Sequence, residues 1–355
     1  MRVILAGGGT GGHLFPGLAV ARELKRRDSM TEILFVGTEQ GIEARVLPRE
    51  GFRLKTIPVR GLKGRGMRGL LDAAWGIPAG LLGSLRIIRS FRPNVVIGLG
   101  GYASGPVLLG GKLCGLRCAI MEQNLRPGFT NKLLGRFVDR IFTSYVESRE
   151  YFSGGKVLET GNPVRWRELP TVSRSKKFVL LVFGGSAGAH RINLAVVDAL
   201  KRLADIAAGL QVIHQTGQAD FAAIKETYAS LPFEAEVIPF IEKMDEAYAR
   251  ADLILCRAGA TTVAELTAFG KAAILVPYPY AIDDHQRWNA QALQDQGAAE
   301  MILDQELEGD LLARRIRAYV SDRQRIDRMA SAALGLGRPE AAARIVEECY
   351  ALARG

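Results

Sequence analysis

Short apolar runs rich in β-branched residues alternate along almost the whole chain with longer amphipathic stretches that have helical spacing. Runs that are apolar at every position are typical of parallel strands that helices cover on both faces. The pattern predicts strands over residues 3–6, 33–36, 54–57, 95–99, 118–121, 141–143, 178–183, 210–214, 236–238, 253–256, 273–276 and 300–302. The predicted fold class is therefore α/β.

The two halves of the chain begin alike. Residues 2–12 and residues 178–188 each read as a strand, a glycine-rich loop and the start of a helix. A Gly-Asn-Pro turn at 161–163 separates them and suits a domain junction. We predict two Rossmann-like domains, 1–161 and 162–339, which face each other across a ligand cleft. Whether the last helix, within 340–355, packs back on the first domain is left open.

Charge is divided unevenly along the chain of 355 residues, whose net charge is +10. Residues 1–163 hold 24 Lys and Arg against 12 Asp and Glu, whereas residues 164–355 hold 23 against 25. An anionic partner or surface should therefore meet the first half. The alternative is a basic surface that serves only solubility.

The cysteines and the N-terminus bear on the cellular compartment. Four scattered cysteines exclude a disulfide framework, and Cys114 and Cys118 lack the partners of a zinc site, so we expect buried free thiols. The first residues run directly into a strand without a signal peptide, and no apolar run is long enough to span a bilayer. We expect a cytosolic protein that can still touch a membrane.

The segment 60–92 interrupts the alternation of strands and helices. Glycines interleave there with basic residues, and an apolar cluster follows. The residues concerned are Lys63, Arg65, Arg68, Leu70, Leu71, Ala74, Trp75, Leu81 and Leu82. Basic and apolar side chains together are typical of an interfacial membrane patch. The alternative is a loop followed by an ordinary core helix with a buried tryptophan.

The first glycine loop has the G-x-G-x-x-G pattern at Gly7, Gly9 and Gly12. Its amides and the following helix N-terminus could receive a phosphate. Because Glu39 stands where a ribose-binding acid would follow the second strand, a nicotinamide or flavin oxidoreductase stays open as a rival. His13, at the mouth of this loop, is a candidate general base, or else it caps the helix start.

Two further turns of the first half end predicted strands. Residues 100–106 form a glycine-rich strand-to-helix turn, which could bind a ligand or simply be a tight turn. Glu122, Gln123 and Asn124 follow the strand that ends near residue 121, at the edge where such sheets bind ligands. They could equally be ordinary loop residues.

The second half offers three such places. Residues 184–188 combine glycine amides with the hydroxyl of Ser186. Residues 256–265 lead into a helix, where Glu265 could accept hydrogen bonds from a vicinal diol such as ribose. Thr262 and Glu265 also have the spacing of a capping box, which is the structural alternative. Residues 277–289 form a Pro-rich turn into a polar helix start that suits sugar hydroxyls.

Metal ligands are not indicated. The chain has no D-x-D triplet, no H-x-x-x-H and no Cys/His cluster. A leaving diphosphate would then be stabilised by amides, helix dipoles and a cation, for which Arg165 is the candidate. We expect neither a metal nor another cofactor.

Seven of these segments together resemble the MurG family of bacterial N-acetylglucosaminyltransferases. They are residues 8–13, 100–106, 122–124, 161–165, 184–188, 257–265 and 285–289, in order along nearly the whole chain. The resemblance implies a GT-B fold, UDP-GlcNAc as donor and lipid I as acceptor. It also implies transfer with inversion at the inner face of the cytoplasmic membrane, as a peripheral protein on anionic lipid, without nucleic acid.

Site residues carried over by the resemblance fall into two sets. The donor site would comprise Arg165, Ser186, Ile241 (through its backbone to uracil), Ala260, Thr261, Thr262, Val263, Ala264, Glu265 and Gln286. Thr10, Gly11, Gly12 and Asn124 would reach the donor sugar and the acceptor. Many relatives have Gln-Gln where this chain has His285-Gln286, so only Gln286 is carried over. A binding protein for nucleotide sugars or lipid carriers remains a second rival.

Overall fold

A computed structural model of the chain describes residues 1–59, 66–173 and 175–354, without the side chains of residues 66–77 and 282. Part of the predicted membrane patch therefore lies outside the described residues. This part comprises Lys63 and Arg65 and the side chains of Arg68, Leu70, Leu71, Ala74 and Trp75. By contacts the chain divides into two compact units, Met1–Arg165 with Arg338–Gly355, and Trp166–Gly337.

The first unit contains a seven-stranded parallel sheet in the order β3-β2-β1-β4-β5-β6-β7. Its strands are β1 (Arg2–Gly7), β2 (Glu32–Gly37), β3 (Arg53–Thr56), β4 (Val95–Gly100), β5 (Arg117–Glu122), β6 (Arg140–Thr143) and β7 (Val157–Glu159). Apart from the last helix of the chain, its helices are α1 (Gly11–Arg27), α2 (Glu43–Arg49), α3 (Gly66–Phe91), α4 (Ser104–Leu113) and α5 (Phe129–Leu134).

The second unit contains a six-stranded parallel sheet in the order β10-β9-β8-β11-β12-β13. Its strands are β8 (Phe178–Phe183), β9 (Leu210–Gln215), β10 (Glu234–Ile238), β11 (Leu253–Cys256), β12 (Ala273–Leu275) and β13 (Glu300–Met301). Its helices are α6 (His190–Lys201), α7 (Phe221–Ala229), α8 (Met244–Arg250), α9 (Ala260–Ala268), α10 (His285–Asp295), α11 (Gly309–Ser321) and α12 (Arg323–Leu336).

The central strands of each sheet are buried on both faces, because successive side chains point to opposite sides and both sides are covered. In β1, Val3 and Leu5 join the core on the α1 side, while Ile4 and Ala6 join the core that includes side chains of α3 and α4. The strands of the second unit divide in the same way between two cores. The predicted fold class is confirmed for each unit.

The last helix, α13 (Ala341–Arg354), belongs to the first unit. It packs on α1, and Ile345, Val346 and Cys349 are fully buried in the same core as Val3 and Leu5. The contacts divide the chain after Arg165 and after Gly337, compared with predicted boundaries at 161 and 339.

The described cysteines correct one expectation. Cys118 is buried as expected, but Cys114 is exposed, because it follows the last residue of α4 at the surface. Burial raises the pKa of the Cys118 thiol to about 12. Over the part of the chain that the structure describes, no helix combines the length and apolar character that a membrane span requires.

Candidate active site

The first candidate loop joins β1 to α1. Gly7, Gly8 and Gly9 all have positive φ angles, 137°, 138° and 83°, which favour glycine over residues with a side chain. The amide of Gly8 donates to the carbonyl oxygen of Gly100 (3.3 Å), and the amide of Gly9 donates to Oε2 of Glu43 (2.7 Å). The expectation that these amides receive a phosphate is therefore wrong for Gly8 and Gly9.

Glu43 is the acidic residue that serves the first glycine loop, and sequence reasoning missed it. It lies at the start of α2 and is only 1% exposed. Its Oε1 accepts from the amide and hydroxyl of Thr38 (2.9 and 3.0 Å), while Oε2 accepts from Gly9. Glu39, which the oxidoreductase alternative requires, is exposed. The available signal was a carboxylate in the first turn of the helix that follows β2, preceded by Gly37 and Gly41.

His13 lies in the first turn of α1 and is partly exposed. Its Nδ1 is 3.3 Å from the carbonyl oxygen of Gly8 and 3.4 Å from Oγ1 of Thr10. The ring also lies against Gly100, where a Cβ atom would be 2.6 Å from Cδ2 of His13. The absence of a side chain at Gly100 therefore makes room for the imidazole. Gly11 and Gly12 are the first two residues of α1, and Thr10 is its N-cap.

The loop that follows β4 is hydrogen-bonded to the end of β1 and to the first loop. Ser104 is buried, and its Oγ lies 2.7 Å from the carbonyl oxygen of Ala6 and accepts from the amide of Gly100 (3.0 Å). A Cβ atom at Gly101 would lie 2.6 Å from the carbonyl oxygen of Gly8. Because β1 and β4 are neighbours in the sheet, their two loops form one surface at its carboxyl edge.

The three polar residues after β5 have different environments. The buried Glu122 accepts from the amide of Asn124 (3.0 Å) and from Nδ2 of Asn131 (2.8 Å). Burial raises the pKa of its carboxyl group above the ordinary value, although these donors act in the opposite direction. Gln123 is also buried and donates to the carbonyl oxygen of Leu99 (2.8 Å). Asn124, in contrast, is partly exposed.

Arg165 falls in the first unit. Its guanidinium lies over the ring of Phe15 on α1, 4.6 Å from the ring centroid, and its carbonyl oxygen accepts from Arg22 (3.2 Å). This contact holds the guanidinium of Arg165 against Phe15 of α1. Phe15 is close in sequence to Thr10, Gly11 and Gly12.

In the second unit, the loop between β8 and α6 carries Ser186 at an exposed turn. Gly185 has a φ angle of 97°, and its carbonyl oxygen accepts from Nε2 of the buried Gln215 (2.7 Å) and from the amide of Gly188 (2.9 Å). The neighbouring strand β9 therefore fixes the turn, and the Ser186 hydroxyl is presented at the carboxyl edge of the second sheet.

The turn between β11 and α9 contains the longest predicted donor segment. Helix α9 begins at Ala260 with Gly259 as its N-cap, which makes no side-chain capping bond. Thr262 is therefore inside the first turn, and the capping-box alternative is wrong. Ala260, Thr261 and Val263 are buried, whereas Thr262 and Ala264 are partly exposed.

Glu265 lies one turn further along α9 and is 1% exposed. Its Oε2 accepts a hydrogen bond from the hydroxyl of Tyr248, which is fully buried (3.0 Å). The hydrogen bond from Tyr248 on α8 thus fixes the orientation of the Glu265 carboxylate, whereas the side chain of a surface glutamate rotates freely. This contact is one that the sequence did not indicate.

The remaining predicted donor residues follow β10 and β12. Ile241 is buried in the core, which fixes its backbone just beyond β10. Gln286, in the first turn of α10, accepts from the amide of Tyr278 (3.0 Å). Asn289, in the segment predicted to meet sugar hydroxyls, is buried and donates to the carbonyl oxygen of Ala258 (3.3 Å).

The residues expected to bind the donor in the second unit thus all follow strands of one parallel sheet, beyond its carboxyl edge. They are Ser186, Ile241, Ala260, Thr261, Thr262, Val263, Ala264, Glu265 and Gln286. His13, Thr10, Gly11, Gly12 and Asn124 do the same in the first unit. This edge is where open α/β sheets bind ligands. Within the described ranges, no group of three or more His, Cys, Asp or Glu side chains could hold a metal ion.

Comparison with known proteins matches both halves of the chain to one enzyme family. Residues 3–143 match the glycosyltransferase family 28 N-terminal domain, and residues 179–345 match the glycosyltransferase family 28 C-terminal domain. A crystal structure of Acinetobacter baumannii MurG has a TM-score of 0.80 and 32% identity, covering 98% of this chain and 99% of that one.

Two curated relatives share about half of their residues with the chain. The first is the UDP-N-acetylglucosamine–N-acetylmuramyl-(pentapeptide) pyrophosphoryl-undecaprenol N-acetylglucosamine transferase of Syntrophus aciditrophicus (strain SB). It is 50% identical over 358 residues, which are 100% of this chain and 99% of the relative. The transferase of the same name from Myxococcus xanthus (strain DK1622) is 49% identical over 356 residues, which are 99% and 93%.

These matches confirm the family resemblance found in the sequence and the GT-B fold class that it implies. The oxidoreductase alternative is wrong, since both units match domains of a glycosyltransferase. The chain belongs to glycosyltransferase family 28 and, within it, to the UDP-N-acetylglucosamine–N-acetylmuramyl-(pentapeptide) pyrophosphoryl-undecaprenol N-acetylglucosamine transferases.

Proposed function

We propose that the chain transfers N-acetylglucosamine from UDP-GlcNAc to the 4-hydroxyl of the MurNAc unit of lipid I, which yields lipid II. The observation that carries this proposal is the identity of 50% and 49%, along the whole chain, with transferases whose names state this donor and acceptor. The reaction is a single displacement. The acceptor oxygen bonds to C1 of the donor sugar as the bond from C1 to the UDP oxygen breaks, and inversion gives a β-linkage.

The second unit binds the donor in this proposal. Glu265 accepts hydrogen bonds from the ribose hydroxyls, and its contact with Tyr248 supports that role because a held carboxylate loses little conformational entropy on binding. The start of α9 and the Ser186 hydroxyl stabilise the diphosphate as negative charge grows on the leaving UDP. The backbone of Ile241 meets the uracil, and Gln286 meets the sugar.

The first unit supplies the general base in this proposal. His13 accepts the proton of the 4-hydroxyl through Nε2, while Thr10, Gly11, Gly12 and Asn124 position the acceptor and the donor sugar. The fixed ring supports this role, because a base accelerates proton transfer only when it is held within hydrogen-bond reach. Arg165 adds positive charge for the diphosphate.

A surface on α4 and α5 meets the cytoplasmic face of the membrane in this proposal. The two helices pack beside each other and expose large apolar side chains, among them Leu113 (65% exposed) and Phe129 (78% exposed). We call this the α4–α5 surface, formed by Leu109, Leu113, Phe129, Leu133, Lys132 and Arg136. Apolar side chains that are interleaved with Lys and Arg suit an interface that contains anionic lipid.

UDP release tests the proposed reaction. The purified chain is incubated with UDP-GlcNAc, with and without a soluble lipid I analogue, and free UDP is measured over time. We expect UDP to appear only when the acceptor analogue is present. Binding of UDP-GlcNAc without UDP release under both conditions would favour a binding protein, and acceptor-independent release would indicate a hydrolase or an epimerase. Either result contradicts the proposal.

A further inference from the structure

The peptide group between Gly8 and Gly9 links two titratable side chains. Its N–H, on Gly9, donates to Oε2 of Glu43 (2.7 Å), and its C=O, on Gly8, lies 3.3 Å from Nδ1 of His13. The N–H and C=O of a trans peptide point in opposite directions, so the carboxylate and the imidazole approach this group from opposite sides.

The contacts of Nδ1 favour a proton on that ring nitrogen of His13. The carbonyl oxygen of Gly8 can only accept, and the Thr10 hydroxyl, 3.4 Å from Nδ1, can accept as well as donate, so a proton on Nδ1 satisfies both contacts. In the neutral ring the lone pair then lies on Nε2, which is the arrangement that a base needs. A chain of hydrogen bonds polarises its members, so a carboxylate on the N–H side makes the Gly8 oxygen a better acceptor for Nδ1–H.

The environment of the Glu43 side chain suits a carboxylate. Three donors point at it, namely the amide of Gly9 and the amide and hydroxyl of Thr38. An ionised carboxylate accepts from all of them, whereas a glutamine would turn an NH₂ group toward a donor. A Cβ atom at Gly8 or Gly37 would lie 2.6 or 2.7 Å from this side chain, and Gly41 is even closer. Three glycines therefore leave the space that the carboxylate fills.

We propose that Glu43 is a positioning residue for His13: through the Gly8–Gly9 peptide group, its carboxylate holds the imidazole in the Nδ1–H form. The inference rests on the proposed function of His13 as general base. The carboxylate of Glu43 is occupied by donors of Gly9 and Thr38, so it acts on the reaction only through the loop. Its effect therefore falls on kcat through His13 and not on donor affinity.

A double-mutant cycle tests this coupling. Glu43→Gln should lower kcat roughly tenfold, within the range that general-base catalysis contributes, and change the KM for UDP-GlcNAc by less than about twofold. In a His13→Ala background the same substitution should change kcat by less than about twofold, because the group that Glu43 positions is already gone. Equal losses in both backgrounds, or no loss in either, would overturn the proposal.

Glu23→Gln is the matched control. Glu23 is also a buried carboxylate, on α1, but it pairs with Arg26 and Arg27 away from the glycine loop. Its replacement should leave the ratio of kcat to KM within about twofold once folding is verified by circular dichroism. A tenfold loss of kcat in this control would mean that removal of any buried carboxylate disturbs the enzyme, and would overturn the specific role of Glu43.

A second measurement does not depend on turnover. Nitrogen-15 spectra of the histidine rings, with His13 assigned by its absence in His13→Ala, report which nitrogen is protonated. The Nδ1–H form is expected in the unmodified protein, and its share should fall in Glu43→Gln. An Nε2–H ring in the unmodified protein would overturn the inference even if Glu43→Gln fails to fold. If His13→Ala leaves kcat unchanged while the ring is Nδ1–H, the proposed base fails and the positioning contact remains.

Discussion

Glu265 combines burial with a fixed orientation. It is carried by the second turn of α9, its carboxylate is held by the Tyr248 hydroxyl, and the adjoining turn after β11 provides the start of the helix. Hydrogen bonds to an ionised acceptor contribute more than neutral ones, at about 1.5–3 kcal/mol. The side chain is therefore suited to supply much of the binding free energy for a diol.

Replacement of Glu265 by glutamine tests this role at the residue scale. We expect the dissociation constant for UDP-GlcNAc to rise roughly 10- to 100-fold, because the charge-assisted bonds to the ribose are weakened. Isothermal titration calorimetry measures it directly. Thr267→Val is the matched control, since Thr267 lies on the same helix and its hydroxyl bonds back to the Val263 carbonyl oxygen (3.1 Å). Unchanged affinity in Glu265→Gln would leave Glu265 a purely structural residue.

The types of residue that follow each strand could be predicted, but the residues that they contact in the folded chain could not. His13 and Ser186 were predicted as site residues because each follows a strand and a glycine turn. Glu43 was missed because its role arises from contacts with Gly8 and Gly9, which are more than thirty residues away in sequence. Local spacing also suggested a capping box at Thr262, and the true start of α9 at Ala260 removes it. Contacts between distant loops are the part that local patterns do not contain.

A buried polar network joins three elements of the second unit. His214 of β9 has Nδ1 3.0 Å from the Tyr228 hydroxyl and Nε2 3.1 Å from Oδ1 of Asn193 on α6. Nδ2 of Asn193 donates to the carbonyl oxygen of Thr216 (2.8 Å) and to Asp220 (2.7 Å). The network fixes the start of α6, and with it the turn that carries Ser186.

His214 makes the stability of this unit depend on pH. Burial lowers the pKa of His214 to about 4, although the charge of Asp220 acts in the opposite direction. The unfolded chain takes up this proton near pH 6.5, and the folded chain only near pH 4, so protonation favours unfolding. The stabilisation is fully present above about pH 6.5 and is lost as the pH falls towards 4.

Urea unfolding at two pH values checks this prediction at the element scale. Between about pH 7 and about pH 5, His214 should contribute a loss of roughly 2 kcal/mol in the free energy of unfolding, and His214→Gln should lack that contribution. A Trp75→Phe background leaves Trp166 and Trp288, both in the second unit, as fluorescent reporters. The exposed His190, changed to Gln, serves as control. The same pH dependence with and without His214 would contradict the prediction.

Strand positions were predicted more completely than strand ends. All twelve predicted strands are present, and those at the centre of each sheet, such as β4 and β8, are continuous apolar runs that are fully buried. β7 (Val157–Glu159) was missed, since it has only three residues and lies at the edge of its sheet, where one neighbour suffices. Residues 300–302 were predicted as a strand, and β13 covers Glu300–Met301. The other three edge strands, β3, β10 and β13, were predicted.

Across the whole molecule, the uneven charge agrees with the proposal that the first unit contacts the membrane and the second unit binds the donor. The excess of Lys and Arg over Asp and Glu lies within residues 1–163, the half that carries the α4–α5 surface and His13. The half with the proposed donor site is nearly neutral. A lipid-linked acceptor at an anionic membrane and a soluble nucleotide sugar make these different demands on a surface.

Vesicle binding tests the α4–α5 surface. Replacement of Leu113, Phe129 and Leu133 by serine should lower partitioning onto anionic phosphatidylglycerol vesicles roughly a hundredfold, because about 1 kcal/mol of apolar burial is lost at each position. Replacement of Lys132 and Arg136 by glutamine should weaken binding mainly at low salt. Leu194→Ser, at an exposed leucine of the second unit, is the control. Unaltered partitioning of the triple variant would assign membrane contact to another surface.

The linkage formed in the product tests the proposed transfer reaction more directly than any other property. The chain is incubated with UDP-GlcNAc and a lipid I analogue, and the product is isolated and its anomeric proton coupling and glycosidic carbon shifts are recorded by NMR. We expect one N-acetylglucosamine unit joined in the β configuration to the 4-hydroxyl of MurNAc, with UDP released in equal amount. An α-linked product, attachment at another hydroxyl, or an unchanged acceptor beside an altered donor sugar would contradict it.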